Sequence, residues 1–345
     1  MYQKNADEII TKKYKARKFL YYILILAPTT LVAGLRYGIG VDYHSYVLMY
    51  NEVNIHEIFS SREPLYSILQ YLVKIIFQDK TWGLFLVTSF LTLYFILKGA
   101  EYFRKDLSIS FALFIYYLTY YIEGFNIVRQ MLALAIIFFG LRYLIDRNLL
   151  KYAITIAVAT LIHNSAIIAL IFYFIPFKTT KRTLLWNVYF YGILILIPLL
   201  INQIINVLSK LPILNLYFAR LDLMSINVDS RLILETVIVF LPALLFRSVV
   251  VSKNPKYQLL LNIGLATLPL RYLLFSLDYA WRINYYLTSV QILLIPIIIK
   301  SFKNKYYKFI FTVIFTLMYI LYFIYFYIIR GMGPGIPYRS VIPYM

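Results

Sequence analysis

Apolar residues in this chain come in long blocks separated by short polar clusters. Nearly unbroken apolar runs cover Phe19–Leu35, Trp82–Lys98, Leu107–Ile122, Ile127–Ile145, Leu184–Leu208, Leu232–Val251, Tyr257–Phe275, Ile283–Lys300 and Phe309–Ile329. A helix needs about 20 such residues to cross the hydrocarbon of a bilayer, so each run reads as a membrane span, the shorter ones extended by aromatic flanks. The first run has no small-residue cleavage site behind it and reads as a retained helix, not a signal peptide. Pro64–Gln78 is too short to cross and carries Lys74, so it reads as a half-helix or interfacial helix on the outer side.

The stretch Tyr152–Phe177 decides the topology. It is long enough for one span, yet Lys151 precedes it and Lys178, Lys181 and Arg182 follow it. Positive flanks stay on the cytoplasmic side. A hairpin of two half-helices turning at His163-Asn164-Ser165 keeps both flanks inside, with Asn164 or Ser165 as N-cap of the second half. A single crossing would turn the later basic clusters outward. With the hairpin, most of the 34 Lys and Arg fall inside. The fold class is therefore all-α, a polytopic membrane protein of about nine transmembrane helices plus a re-entrant hairpin. One transmembrane domain is expected over residues 1–345. It comprises a basic cytoplasmic arm (1–18), an outer loop with a half-helix (36–81), the hairpin (151–177), an outer loop (209–231) and an outer tail (330–345).

Composition agrees: 62% of residues are hydrophobic and only 14% charged, outside the range of soluble domains. The net charge of +19 is too dispersed for nucleic-acid binding and fits lipid headgroups and the topology signal. With no cysteine and three histidines, thiolate and His-rich metal centres are not expected, and no cofactor is implied. The 35 tyrosines exceed what interfacial belts require and suit a sugar-handling surface.

Candidate chemistry collects on the outer side. The segment after the first span, residues 35–50, holds Arg36, Asp42, His44 and four tyrosines, with Gly38 and Gly40 breaking any helix. Glu63, Glu123, Asn126, Arg129, Gln130, Arg220, Arg271, Arg282 and Tyr338 join them. Arginine at an outer interface is costly unless it is paired. Arg129 and Arg282 each start a span, where free N–H groups and the helix dipole favour a phosphate. His163 stands alone in an apolar hairpin at its expected break.

Several stretches resemble the EpsG family of exopolysaccharide polymerases, Wzy-like proteins of bacterial surface-polysaccharide clusters. Residues 36–46, RYGIGVDYHSY, are similar to the family's R-x-x-x-G-x-D-Y-x-x-Y signature, with Val41 where a threonine is usual. Glu63-Pro64-Leu65-Tyr66, Asn126-Ile127-Val128-Arg129-Gln130-Met131-Leu132-Ala133 and Leu161-Ile162-His163-Asn164-Ser165-Ala166 match further segments in order. Arg282-Ile283-Asn284-Tyr285-Tyr286 and Pro337-Tyr338-Arg339 resemble two more. The resemblance implies a GT-C-like glycosyltransferase of the bacterial cytoplasmic membrane with its active site facing outward. Its substrates would be oligosaccharide repeats on undecaprenyl diphosphate, and its partners the bilayer, a flippase and a chain-length regulator. On this reading Arg36, Arg129 and Arg282 hold diphosphate, with Arg271 or Arg220 as a further clamp. The general base is Asp42 or His163, with Glu63 third. Tyr43, Tyr46 and Tyr285 pack on sugar, and Asn126, Gln130 and Tyr338 line the substrate. Two other classes compete. A lipid-linked glycan flippase would carry ionisable groups through the midplane and show repeat halves. A membrane acyltransferase using His163 would need a cytoplasmic polar cluster for its acyl carrier.

Overall fold

The computed structural model describes residues 20–175, 230–274, 280–333 and 335–342, together with Arg17 and Gly192. The expected basic arm, the span Leu184–Leu208 and the loop 209–231 fall almost wholly outside them. All regular structure among the described residues is helical, apart from an isolated antiparallel bridge between Arg36 and Ser340. By length and composition three of these helices can cross a membrane, α5 (Thr81–Tyr102), α7 (Val128–Ile145) and the terminal Lys305–Ile329. A bent pair, α9 (Ser230–Leu245) and α10 (Arg247–Lys253), adds a fourth if it forms one span.

α7 is the centre of the molecule. Its apolar side chains point all round, and 78% of it is buried, against 22% of the terminal helix. A helix apolar on every side is one surrounded by protein or lipid. α5 packs along one side and α8 (Leu149–Ile162) along another. Gly140 lets α8 come close, since a Cβ there would lie 2.7 Å from Thr155 Cγ2.

The chain reverses after α8. His163 leaves the helix with φ −152° and ψ 115°, and Asn164–Phe174 follows as a 3₁₀ arm. Tyr152 donates its hydroxyl to the Ala169 carbonyl at 2.6 Å, and Arg147 Nη1 reaches the Tyr173 carbonyl at 2.8 Å. A continuous helix would hold residues 147 and 173 about 39 Å apart. The two arms therefore lie side by side. Two details differ from expectation. The returning arm is 3₁₀ and not α, and neither Asn164 nor Ser165 caps it. His163 occupies the cap position with no side-chain cap bond.

Other apolar runs are shorter or more broken than hydropathy suggests. α6 covers only Ile109–Thr119, and a 3₁₀ turn, Glu123–Phe125, separates it from α7. The run Ile283–Lys300 divides into α12 (Asn284–Thr288) and α13 (Gln291–Ser301). There Thr288 and Ser289 hydroxyls bond back to the Tyr285 and Tyr286 carbonyls at 3.4 and 2.9 Å, which favours a bend. α9 and α10 meet at 63°, and α14 (Lys305–Phe323) widens into a π-helical turn over Ile324–Ile329. The expected outer loop is mostly helical. Before the half-helix α4 (Pro64–Ile76) it forms α2 (Tyr43–Glu52) and α3 (Ile55–Ser60).

The two ends of α7 differ in chemistry. At its Ile145 end, Asp146 accepts from Tyr102 at 2.5 Å and Lys256 at 3.0 Å. Asp106 takes Tyr257 at 2.7 Å and faces Lys253 at 3.6 Å, while Lys300 donates to the Arg104 carbonyl at 3.3 Å. Basic clusters far apart in sequence thus share one layer. The Val128 end carries the acidic, histidine- and tyrosine-bearing cluster described next.

Candidate active site

Glu63 is the hub of that cluster. It precedes Pro64, the first residue of α4, and faces the start of α7 and the hairpin tip. Its Oε2 accepts from Arg129 Nη1 at 2.5 Å. Its Oε1 lies 2.8 Å from His163 Nδ1 and accepts the Asn164 backbone N–H at 3.2 Å. Asn164 therefore helps the tip through its main chain, bound to a carboxylate 101 residues away. Burial alone raises a carboxylate pKa. Here the hydrogen bond with His163, the Arg129 charge and the Asn164 N–H outweigh it and hold Glu63 below its ordinary value. Both oxygens of Glu63 are committed to partners, and His163 Nδ1 is committed to Glu63. With Nδ1–H on the carboxylate, Nε2 keeps its lone pair.

Tyrosines surround the cationic side. The Arg129 guanidinium sits 5.6 Å from the Tyr46 ring centre and 5.8 Å from that of Tyr66, and the Arg129 N–H donates to Tyr46 Oη at 3.5 Å. The Tyr66 hydroxyl is buried with no hydrogen-bond partner among the described residues. Next to the tip, Ser165 Oγ is 2.9 Å from Tyr286 Oη. Gln130 Nε2 donates to the Arg282 carbonyl at 2.9 Å, tying the 3₁₀ turn Ala280–Ile283 to α7.

The remaining candidates occupy the flanks. The backbone N–H of Asp42 donates to Asn126 Oδ1 at 3.0 Å, and its half-buried carboxylate makes no hydrogen bond or ion pair among the described residues. Arg36 is 1% exposed. It donates to the Ala33 and Phe125 carbonyls and lies 4.1 Å from the Phe85 ring centre and 5.1 Å from that of Phe125. Burial pushes its pKa down to about 10, so it stays cationic at neutral pH. In this arrangement the Arg36 guanidinium braces the loop against two carbonyls and two rings. Tyr43 stacks on Phe85 at 4.9 Å. Tyr285 is 2% exposed and donates to Glu123 at 3.3 Å, so it sits in the core. Tyr338 is exposed and donates to the Val32 carbonyl at 2.9 Å, as part of a tail that pairs with residues 35–37. Arg271 is buried on α11 (Gln258–Leu274), and Arg220 lies outside the described residues.

Sequence reading does not single out Tyr66 or Tyr286 as site residues. Both lie inside recognisable motifs, but an aromatic beside an apolar run reads first as belt or packing, and only the fold sets the Tyr66 ring beside Arg129 and the Tyr286 hydroxyl beside Ser165.

Among the described residues the fold is thus all-helical, with apolar helices compatible with a polytopic membrane protein and an acidic, histidine-bearing cluster at the Val128 end of the central helix. A family model matches residues 18–344, nearly the whole chain, and the protein belongs to the EpsG family. No curated protein and no solved structure matches it.

Proposed function

We propose that this protein joins lipid-linked oligosaccharide repeats into exopolysaccharide at the outer face of the bacterial cytoplasmic membrane. The observation that carries the reading is the Glu63–Arg129–His163 unit. Three motifs far apart in sequence converge on it, at the end of α7 opposite the basic layer. Under the positive-inside rule that layer is cytoplasmic and the unit faces outward. This rests on about nine spans with residues 151–177 re-entrant, in a GT-C-like arrangement.

In the reaction, a hydroxyl of the acceptor repeat attacks the anomeric carbon of the donor. A C–O bond forms there while the bond to diphosphate breaks, and undecaprenyl diphosphate leaves with the electron pair. His163 Nε2 takes the hydroxyl proton. Arg129 stabilises charge on the leaving diphosphate, a task for which the guanidinium fork suits better than an ammonium. Arg282, Arg271 and Arg220 are proposed as further diphosphate contacts, and Tyr46 and Tyr66 as sugar-facing walls. A flippase would deliver the repeats, and a chain-length regulator would act on the same polymer.

Cells test this against the flippase alternative. Removing a general base lowers rate by about 10²–10⁴-fold, so His163→Ala should abolish visible polymer. Single lipid-linked repeats should then accumulate where an impermeant probe reaches them from outside. Accumulation on the cytoplasmic leaflet would point to a transporter instead.

A further inference from the structure

Glu63 touches both halves of the proposed chemistry at once. One oxygen holds Arg129, and the other holds His163 and the Asn164 N–H. The clamp for the leaving diphosphate and the base for the acceptor hydroxyl therefore share one carboxylate. Around it stand Tyr66 on α4, Tyr46 on α2 and Tyr286 on α12, and Arg129 is the cation bound to it. Arg129 binds Glu63 through Nη1, and its side chain is 31% exposed, so part of it remains open to an incoming anion.

We infer that Glu63 is a positioning residue that couples donor binding to the base: diphosphate on Arg129 strengthens the hold of Glu63 on His163. The inference rests on the polymerase reading for its biological meaning. Its physics is elementary. With the diphosphate site vacant, the Arg129 charge draws on the carboxylate and weakens it as an acceptor for the His163 Nδ1–H. A diphosphate beside Arg129 offsets that charge. Glu63 then accepts more strongly from Nδ1–H, which fixes the tautomer with its lone pair on Nε2. His163 becomes an effective base when a donor is bound, and an acceptor arriving first meets a weaker one. Glu63 itself neither gives nor takes the proton.

The test uses the full-length protein in nanodiscs, with ¹⁵N-labelled histidine and inorganic pyrophosphate as probe. The chain has three histidines, so a His44→Asn/His56→Asn background leaves His163 as the sole signal. At mildly alkaline pH the wild-type contacts should give the Nδ1–H tautomer with Nε2 unprotonated. Added pyrophosphate should move the Nδ1–H proton downfield, whereas sulfate at matched ionic strength should move it less. Glu63→Gln should lose both the tautomer preference and the response. Arg129→Gln should show the downfield position from the start and no longer respond. Pyrophosphate that binds, as seen in its own ³¹P line, without moving the His163 signal would overturn the coupling while leaving the polymerase reading intact. Absence of pyrophosphate binding would overturn the coupling and the clamp together. Protein that couples as described yet never elongates repeats would remove the polymerase reading alone.

Discussion

Arg129→Lys is expected to insert normally and yet to reduce polymer by about 10²-fold or more, the scale of losing one preorganised donor to developing negative charge. Lysine keeps the charge, so simple attraction survives. It loses the planar fork, which holds Glu63 through one nitrogen while other N–H groups remain for phosphate. The flat cation beside the Tyr46 and Tyr66 rings, at 5.6 and 5.8 Å, is lost as well. Glu63 would then hold His163 beside a shorter and less directional cation. The measurement is polymer per unit of inserted protein, compared with wild type. Near wild-type yield would reduce Arg129 to a point charge.

Gly40→Ala should be as damaging, for a backbone reason. Gly40 has φ +106°, a region that an L side chain adopts at a cost of about 1–3 kcal/mol. Worse, an added Cβ would collide with the Phe125 carbonyl oxygen, and backbone cannot swing aside as a side chain can. That approach brings together the Asp42–Asn126 hydrogen bond and the Arg36 contact with Phe125. Alanine would force the first outer segment away from the turn before α7, one helical turn from Arg129. Polymer should be lost, and impermeant labelling of single cysteines placed in residues 37–42 should rise while the helices remain inserted. Gly38 is the control. Its φ is also positive, +62°, but a Cβ there meets nothing within 4 Å, so Gly38→Ala should be clearly milder. Equal effects at both positions would show that backbone conformation, not the close approach, is what matters.

Much of the fold was legible because membrane helices announce themselves. α5 and α7 follow from apolar length alone, and the reversal at His163 follows from lysines on both sides of one apolar run. Helix breaks were harder to see. The bend between α12 and α13 depends on hydroxyls of Thr288 and Ser289 choosing backbone carbonyls, a choice that hydropathy does not encode. The site was legible as motifs but not as contacts. Arg129 and His163 stand out as ionisable residues in unexpected places and Glu63 only as a third choice of base, while their convergence on one carboxylate is a tertiary fact. Arg36 shows the same limit. An arginine within a glycine- and tyrosine-rich signature reads as a ligand contact, yet its side chain turns inward onto Phe85 and two carbonyls. Orientation of a long side chain at a loop is set by packing that no linear pattern contains.

Under the proposed function the protein forms a glycosidic bond from a lipid diphosphate donor, without nucleotide or metal. This reaction is tested most directly with purified protein in detergent, where sidedness no longer matters. Given only lipid-linked repeats, EDTA and no nucleotide, the wild type should make longer lipid-linked chains and release undecaprenyl diphosphate, one for each bond formed. His163→Ala, prepared in the same way, should do neither at a measurable rate. If wild-type protein leaves the repeats single under these conditions while vesicles containing it move them across the bilayer, the polymerase account is contradicted and the protein is a transporter.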